Sequence, residues 1–522
     1  MIAALAASGL AADFTAPKVS YSGISPMLAV FGAATVGVLV EAFAPRRLRA
    51  PAQLVVAMLG LIGGLVAVGL LASRREITAV GAIAIDGPTL FLQGTILALG
   101  VGSLLLLAER SLDSAGGGAI VAQAAAVPGS ADERALAGTA HMQTEVFPLA
   151  MFAIGGMLLF PAANDLLLMF VALEVLSLPL YLMCGLARRR RLLSQEAAVK
   201  YFLLGAFSSG FFIYGVALLY GYAGTVSLGG IALATQSTGS NDGLLYLGLG
   251  LLAVGLLFKV SAVPFHSWTP DVYQGAPTPV TALMASGTKV AAFGALLRVF
   301  YVALGGVRWD WRPMLWTVAI LTMIVGAVLA ITQRDVKRML AYSSIAHAGF
   351  LLTGVVAASR AGLSGSLFYL LTYGFTTLAA FGVITLVRDA DGEATDLSRW
   401  AGLGRRSPLI AGIFALLLLA LAGIPLTSGF TGKFAVFAAA VDGGAGPLVV
   451  VAVISSAIAA FFYVRVIVLM FFNDPAPDGP TVAIPGAFTA VALALGVAVT
   501  LVLGIYPSPL LKLADQAALF LR

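Results

Sequence analysis

The sequence predicts an all-α polytopic membrane protein with about fourteen transmembrane helices, and three observations carry that prediction. Of its 522 residues, 60% are hydrophobic and only 10% are charged, against roughly 25% charged in soluble domains. Apolar runs of about 20 residues, the length that spans the hydrocarbon core of a bilayer, recur along almost the whole chain. Two of these runs are interrupted, one at Pro264 and one at Gly423-Ile424-Pro425.

The runs fall at 24–43, 52–72, 88–108, 145–162, 165–186, 196–220, 243–268, 278–303, 313–332, 337–358, 364–388, 407–440, 446–472 and 483–506. Their loops alternate in charge. With the N-terminus outside, the inner loops hold Arg46, Arg47, Arg49, Arg110, Arg134, Arg188 to Arg191, Arg334, Lys337, Arg338, Arg388, Arg399, Arg405 and Arg406. These are 16 basic residues, against 8 in the outer segments. The positive-inside rule then puts both termini on the outer side of a bacterial plasma membrane. The net charge of +6 is spread over these loops and forms no extended patch, which argues against a nucleic-acid partner.

Residues 1–20 are rich in small residues but lack the basic n-region of a signal peptide, so they are predicted to be retained. Residues 111–142, rich in Ala, Gly and Ser, are expected to form an inner loop. After Pro507, Leu510, Leu511, Leu513, Leu519 and Leu521 suggest an amphipathic helix at the interface.

Interrupted spans in corresponding positions of two halves point to an inverted-repeat transporter with its site near the midplane. Here helices 7 and 12 are the broken pair. Spans four to eight and nine to thirteen form two five-helix units, and an odd number of crossings per unit inverts the second. The expected organisation is residues 1–144 (helices 1–3 and the inner loop), 145–305 (first repeat), 306–472 (second repeat) and 473–522 (helix 14 and tail).

A lone Cys184 excludes an internal disulfide, and His141, His266 and His347 show no metal-ligand spacing. No redox cofactor or metal is therefore expected in this chain. What stands out is charge placed in apolar runs. A charged residue at the bilayer centre costs roughly 2.5–3.5 kcal/mol on insertion scales and usually marks an ion or proton path. Lys259 and Lys289 sit deep in spans seven and eight. Lys433 lies beside the break in span twelve, where unwound backbone can admit water. Glu174, mid-way along span five, is the carboxylate expected to pair with a lysine, with a carboxylate satisfied by backbone or hydroxyls in a helix interface as the structural alternative. Lys200 lies a few residues inside span six, where snorkelling to the interface competes with a buried role. His266, just after Pro264, is a candidate relay between Lys259 and Lys289. His347, with Ser343 and Ser344 close by, is a second candidate relay.

Three segments, KVSAVPFHSWTPDVYQGAPTPVTALMASGTKVAAF, ITQRDVKRMLAYSSIAHAGFLL and GIPLTSGFTGKFAVF, resemble the proton-pumping, antiporter-like membrane subunits of respiratory complex I. PDVYQGAP and the Lys289 segment SGTKVAAF resemble the subunit N branch in particular. The likeness covers about 145–472. It implies that Glu174 modulates a lysine, that Lys259 is the broken-helix lysine and Lys289 the connecting one. Lys433 would stand near the outward exit, and Lys200 would be the span-six lysine of the branch. It also implies partners: other membrane subunits in a hetero-oligomer, membrane lipids, and separate subunits that hold flavin, iron–sulfur clusters and quinone. The loop at 111–142 is longer than the family pattern.

A subunit of a multi-subunit cation/proton antiporter is the alternative, since it shares this architecture and needs no electron-transfer partners. A structural spacer with idle lysines is a third possibility.

Overall fold

The computed structural model describes residues 18–112, 116–236, 242–389, 392–475 and 477–521; the predicted retention of the N-terminus concerns residues mostly outside this set. Among the described residues, twelve helices are long and apolar enough to cross a membrane. Two shorter apolar helices, Val146–Ala162 and Pro408–Ala422, occupy the fourth span and the first half of the twelfth.

Both predicted breaks are present. The helix Asp242–Lys259 ends at Lys259 itself, five residues ahead of Pro264, and helix resumes at Trp268–Gly275. The chain turns because Ser261 takes a left-handed conformation (φ 66°) while the Ser261 and Ala262 amides bond back to Phe258 and Leu257. The second break runs from Gly423 (φ 85°) to Ser428–Asp442. There the Gly423 and Ile424 amides bond back to the Leu419 carbonyl, a left-handed helix cap that favours glycine. Each break also holds a non-glycine residue at positive φ, Ser261 and Leu426, at a cost of order 1–3 kcal/mol each.

The second break folds tightly on itself. A Cβ added at Gly429 would lie 1.9 Å from the Ala420 carbonyl oxygen. Since a backbone oxygen cannot turn away as a side chain can, Gly429→Ala is expected to unseat Ser428–Asp442. The readout is loss of the assembled complex from solubilised membranes, and normal assembly would count against this close approach.

Burial sorts the helices into a centre and a rim. In the most apolar 18-residue stretch of each helix, all residues of Thr278–Ala303 and 94% of those of Val336–Val356 and Arg360–Leu386 are buried, against 28% for Ser25–Phe43 and Arg46–Leu70. The rim helices carry exposed Phe43, Leu59, Leu70 and Val453, as expected where the solvent is hydrocarbon rather than water. The three central helices carry Lys289, His347, Tyr369 and Tyr373.

Loops gather on two opposite faces. On one, Ile120 bridges Ala187 and Asp335 bridges Asp396, and strand Val387–Asp389 pairs with Gly392–Glu393 and Thr481–Val482. Glu109 accepts from the Thr489 amide on this face. On the other, Ile83 bridges Ala163 and Asp165 bridges Ser227, and Ser20 donates its amide to Thr78. The helix Ser508–Ala517 forms in the predicted amphipathic tail and meets the second face through Arg360 and Asp515. The first and last described residues therefore share a face.

Residues 116–142 of the predicted inner loop are tied down more closely than their composition suggests. Ser130 caps a short helix, Ala131–Ala137. The Arg188 guanidinium donates to the carbonyls of Ile120 (3.0 Å), Gly117 (3.1 Å) and Thr139 (3.1 Å).

Candidate functional site

Three lysines lie in the interior, each at a place where helical geometry is disturbed. Lys259 is the last residue of its half-helix and is 4% exposed. Its Nζ donates to Ser177 Oγ (2.7 Å) and Tyr201 OH (3.1 Å) and stands 5.2 Å from the Tyr201 ring centroid. Tyr201 stacks on Trp268, whose indole N–H donates to the Phe258 carbonyl (3.1 Å), so the first residue of the second half-helix is tied to the end of the first.

Lys289 follows a π-helical turn, Met284–Thr288, a local widening frequent at functional sites. It is 2% exposed and donates to Ser344, to the carbonyl at 2.5 Å and to Oγ at 2.6 Å. Tyr373 OH also donates to Ser344 Oγ (2.8 Å), and its ring centroid lies 5.4 Å from the Lys289 nitrogen.

Lys433, also 4% exposed, reaches back across the second break. It donates to the carbonyls of Leu421 (3.0 Å) and Ala422 (2.9 Å) and to Ser456 Oγ (2.9 Å). Those carbonyls end Pro408–Ala422, where a helix dipole favours a cation. Gly423 leaves the room: a Cβ there would stand 3.0 Å from Lys433 Cδ.

His347 lies between the last two lysines. One ring nitrogen is 2.6 Å from Tyr369 OH and the other 3.3 Å from Tyr463 OH, and Tyr463 also bonds Ser343. The imidazole packs on Tyr373 at 5.1 Å and on Phe350 at 5.6 Å. Lys433 Nζ sits 4.8 Å over that same Phe350 ring. Ser343, Ser344, His347 and Phe350 form one stripe of Val336–Val356, since residues three and four apart share a helix face.

Among the described residues, none of the three lysines has a carboxylate within ion-pairing distance. Glu174, expected to pair with a lysine, makes no ion pair among the described residues. Glu174 instead accepts a hydrogen bond from Ser209 Oγ, while Ser177, three residues further along the same helix, takes the lysine. Glu174 stays within electrostatic reach of Lys259 without touching it.

A family model described as NADH:quinone oxidoreductase/Mrp antiporter, TM, matches residues 163–459. NADH-quinone oxidoreductase subunit N of Rhodococcus opacus is 66% identical over 98% of this chain and 98% of its own length. That of Acidothermus cellulolyticus is 64% identical over 97% and 98%. The chain belongs to the NADH-quinone oxidoreductase subunit N family. A chain of respiratory complex I from Thermus thermophilus with bound aureothin superposes with a TM-score of 0.76 at 33% identity, over 94% of this chain and 99% of that one. A chain of the Mrp complex from Dietzia sp. DQ12-45-1b reaches a TM-score of 0.80 at 23% identity, over 96% and 97%. That likeness is one of fold.

Two residues chosen from sequence stand outside the interior row of this subunit N family chain. Lys200, with a side chain 41% exposed, pairs at 2.7 Å with both Glu196 and Asp271, and Asp271 also holds Arg338. The next residue, Tyr201, points inward to Lys259. One residue on a helix is a turn of about 100°, enough to exchange the two roles. Lys200→Ala is therefore expected to cost less than about 1 kcal/mol, as for other half-exposed pairs, and to leave proton translocation by the assembled complex within twofold of the parent. A larger loss would return Lys200 to the row.

His266 makes no hydrogen bond to Lys259 or Lys289 among the described residues, and its Nδ1 is buried with no partner. Beside Lys259 the rings of Tyr201, Trp268 and Tyr273 contact in sequence. Sequence reasoning missed the hydroxyl partners Ser177, Tyr201, Tyr369, Tyr373 and Tyr463. An intramembrane hydroxyl is most often packing, and only its meeting with a lysine or with His347 marks it. No group of three or more metal-capable side chains occurs among the described residues.

Proposed function

We propose that this chain is the proton-translocating subunit N of an NADH:quinone oxidoreductase, passing protons along Lys259, Lys289, His347 and Lys433 while quinone is reduced in other subunits. Glu174 is proposed to act at a distance, its charge altering the proton affinity of Lys259 without an ion pair. The observation that carries this reading is that Lys259, Lys289 and Lys433 donate hydrogen bonds only to hydroxyls and carbonyls among the described residues. A hydroxyl accepts from an ammonium and can rotate to donate to a neutral amine. Such partners hold each lysine in place through loss and gain of its proton, which a carboxylate does not.

On this reading fourteen crossings form two inverted units, 145–305 and 306–472, with both termini on the outer side. The chain sits among other membrane subunits and lipids, and flavin, iron–sulfur clusters and quinone belong to its partners. The 66% relative favours this over a cation/proton antiporter subunit, which matches in fold only. Purification of the chain from its own membranes tests the choice: flavin and iron–sulfur subunits should accompany it. Lys289→Ala in the assembled complex should then lower protons moved per electron while quinone reduction persists. An unchanged ratio would leave only a spacer.

A further inference from the structure

The segment 116–142 and a fourth buried lysine, neither given a role above, meet at one place. Lys337 was counted with the basic loop residues, yet it is 3% exposed. Its Nζ donates to the Ala276 carbonyl (2.7 Å), and no carboxylate lies within ion-pairing distance among the described residues. It lines a cavity of about 70 Å³ beneath Gly118 and Ala119, with Glu393 and Thr278 in the wall. On that measure a water needs roughly 10–15 Å³, so several fit. Glu393 accepts a hydrogen bond from the Thr278 hydroxyl, at the first residue of the helix that carries Lys289, and lies within electrostatic reach of Lys337. The roof is fixed by the Arg188 bonds to Gly117 and Ile120 and the wall by Arg190, which donates to Thr395 Oγ1 (2.7 Å).

Inward from this cavity, Lys337 precedes Ser344 by seven residues on one helix. Two turns, about 10.5 Å of rise, put both on the same side, and Ser344 is the group that receives Lys289.

We propose that Glu393 and Lys337 form a proton-loading station at the mouth of the route, with the segment 116–142 as its roof. The inference rests on the proton-translocation reading above. A proton taken up by the Glu393 carboxylate passes through a cavity water to the neutral Lys337 amine. One O–H bond of the water breaks as the N–H bond forms, and the water regains its hydrogen from the Glu393 carboxyl. The net step converts a carboxylic acid and an amine into a carboxylate and an ammonium, with no electron transferred. The Lys337 ammonium then holds the proton two helical turns from Ser344, the group that receives Lys289.

Arginine separates transport from structure, because it keeps the charge and the donors but is not deprotonated in proteins. Assembled complex carrying Lys337→Arg, Glu393→Gln or Lys259→Met is reconstituted in vesicles, and protons per electron are measured with NADH and quinone. Lys337→Arg and Glu393→Gln should fall to the ratio of Lys259→Met. A full ratio in Lys337→Arg, with Lys259→Met reduced, overturns the loading station and leaves the wider reading standing. A full ratio in all three overturns both. Where Lys337→Arg fails to assemble, Glu393→Gln decides, since its amide oxygen still accepts from Thr278, and a full ratio there overturns the proposal.

Discussion

Lys259→Met is expected to leave an assembled complex that moves protons through this subunit about 10²-fold or more slowly, the size of loss that follows removal of a positioned acid–base group. Methionine is nearly isosteric and apolar, so Leu256 and the neighbouring helices keep their packing, and the Ser177 and Tyr201 hydroxyls can bond elsewhere. A second variant identifies the cause. Tyr201→Phe keeps the ring that stacks on Trp268 and removes only the hydroxyl 3.1 Å from the lysine. If the hydroxyl steadies the amine in both protonation states, Tyr201→Phe should slow translocation by roughly tenfold, about 1.4 kcal/mol of barrier. Proton flux and electron flux measured on the same vesicles check both. Full flux in Lys259→Met would remove that residue from the route.

Asp86→Ala is the substitution with the largest expected effect on stability. Arg298 and Asp86 are both fully buried, joined at 2.7 and 2.8 Å, and the guanidinium also donates to Thr89 Oγ1 and the Pro161 carbonyl, while its Nη1 is left buried without a hydrogen bond. Asp86 also caps the helix Gly87–Ala108 by accepting from the Thr89 amide. Removing one partner of a buried pair costs about 3–5 kcal/mol because the other charge is stranded, and loss of the cap adds about 1 kcal/mol. The double variant Asp86→Ala with Arg298→Met should recover much of the first cost and none of the second. Thermal unfolding of the detergent-purified complex reads this. Equal losses in the single and double variants would show that the pair itself contributes little.

The broken helices and the lysines were legible in the sequence because glycine, proline and charge each carry a strong penalty in an apolar run. A residue that survives such a penalty marks its own place. The side chains around the lysines were not legible, because a tyrosine or serine carries little penalty anywhere in a helix. Lys200 and Tyr201 show the limit: their spacing from the end of the span is the same within one residue, and only the packed rotation of Arg191–Ala223 decides which faces Lys259. Lys337 was hidden differently. It stands between Arg334 and Arg338 in what reads as a basic loop, yet the helix begins at Val336 and turns it inward. The 111–142 segment reads as a plain polar connection because its ties come from Arg188 and Arg191, distant in sequence and invisible to local composition.

The Asp86 carboxylate has a further consequence for how the protein is made. Its partners distant in sequence are Arg298, 212 residues later, and the Leu521 amide, 435 residues later. At roughly 5–20 residues per second of synthesis, Asp86 waits about ten to forty seconds for its cation, and about twice as long for the amide that completes its shell. Through that interval an acidic side chain must stay at the aqueous rim of the translocation machinery or take up a hydrogen ion. The elements close together only when Leu521 arrives, so a stretch made 435 residues later acts as the clasp for the start of Gly87–Ala108.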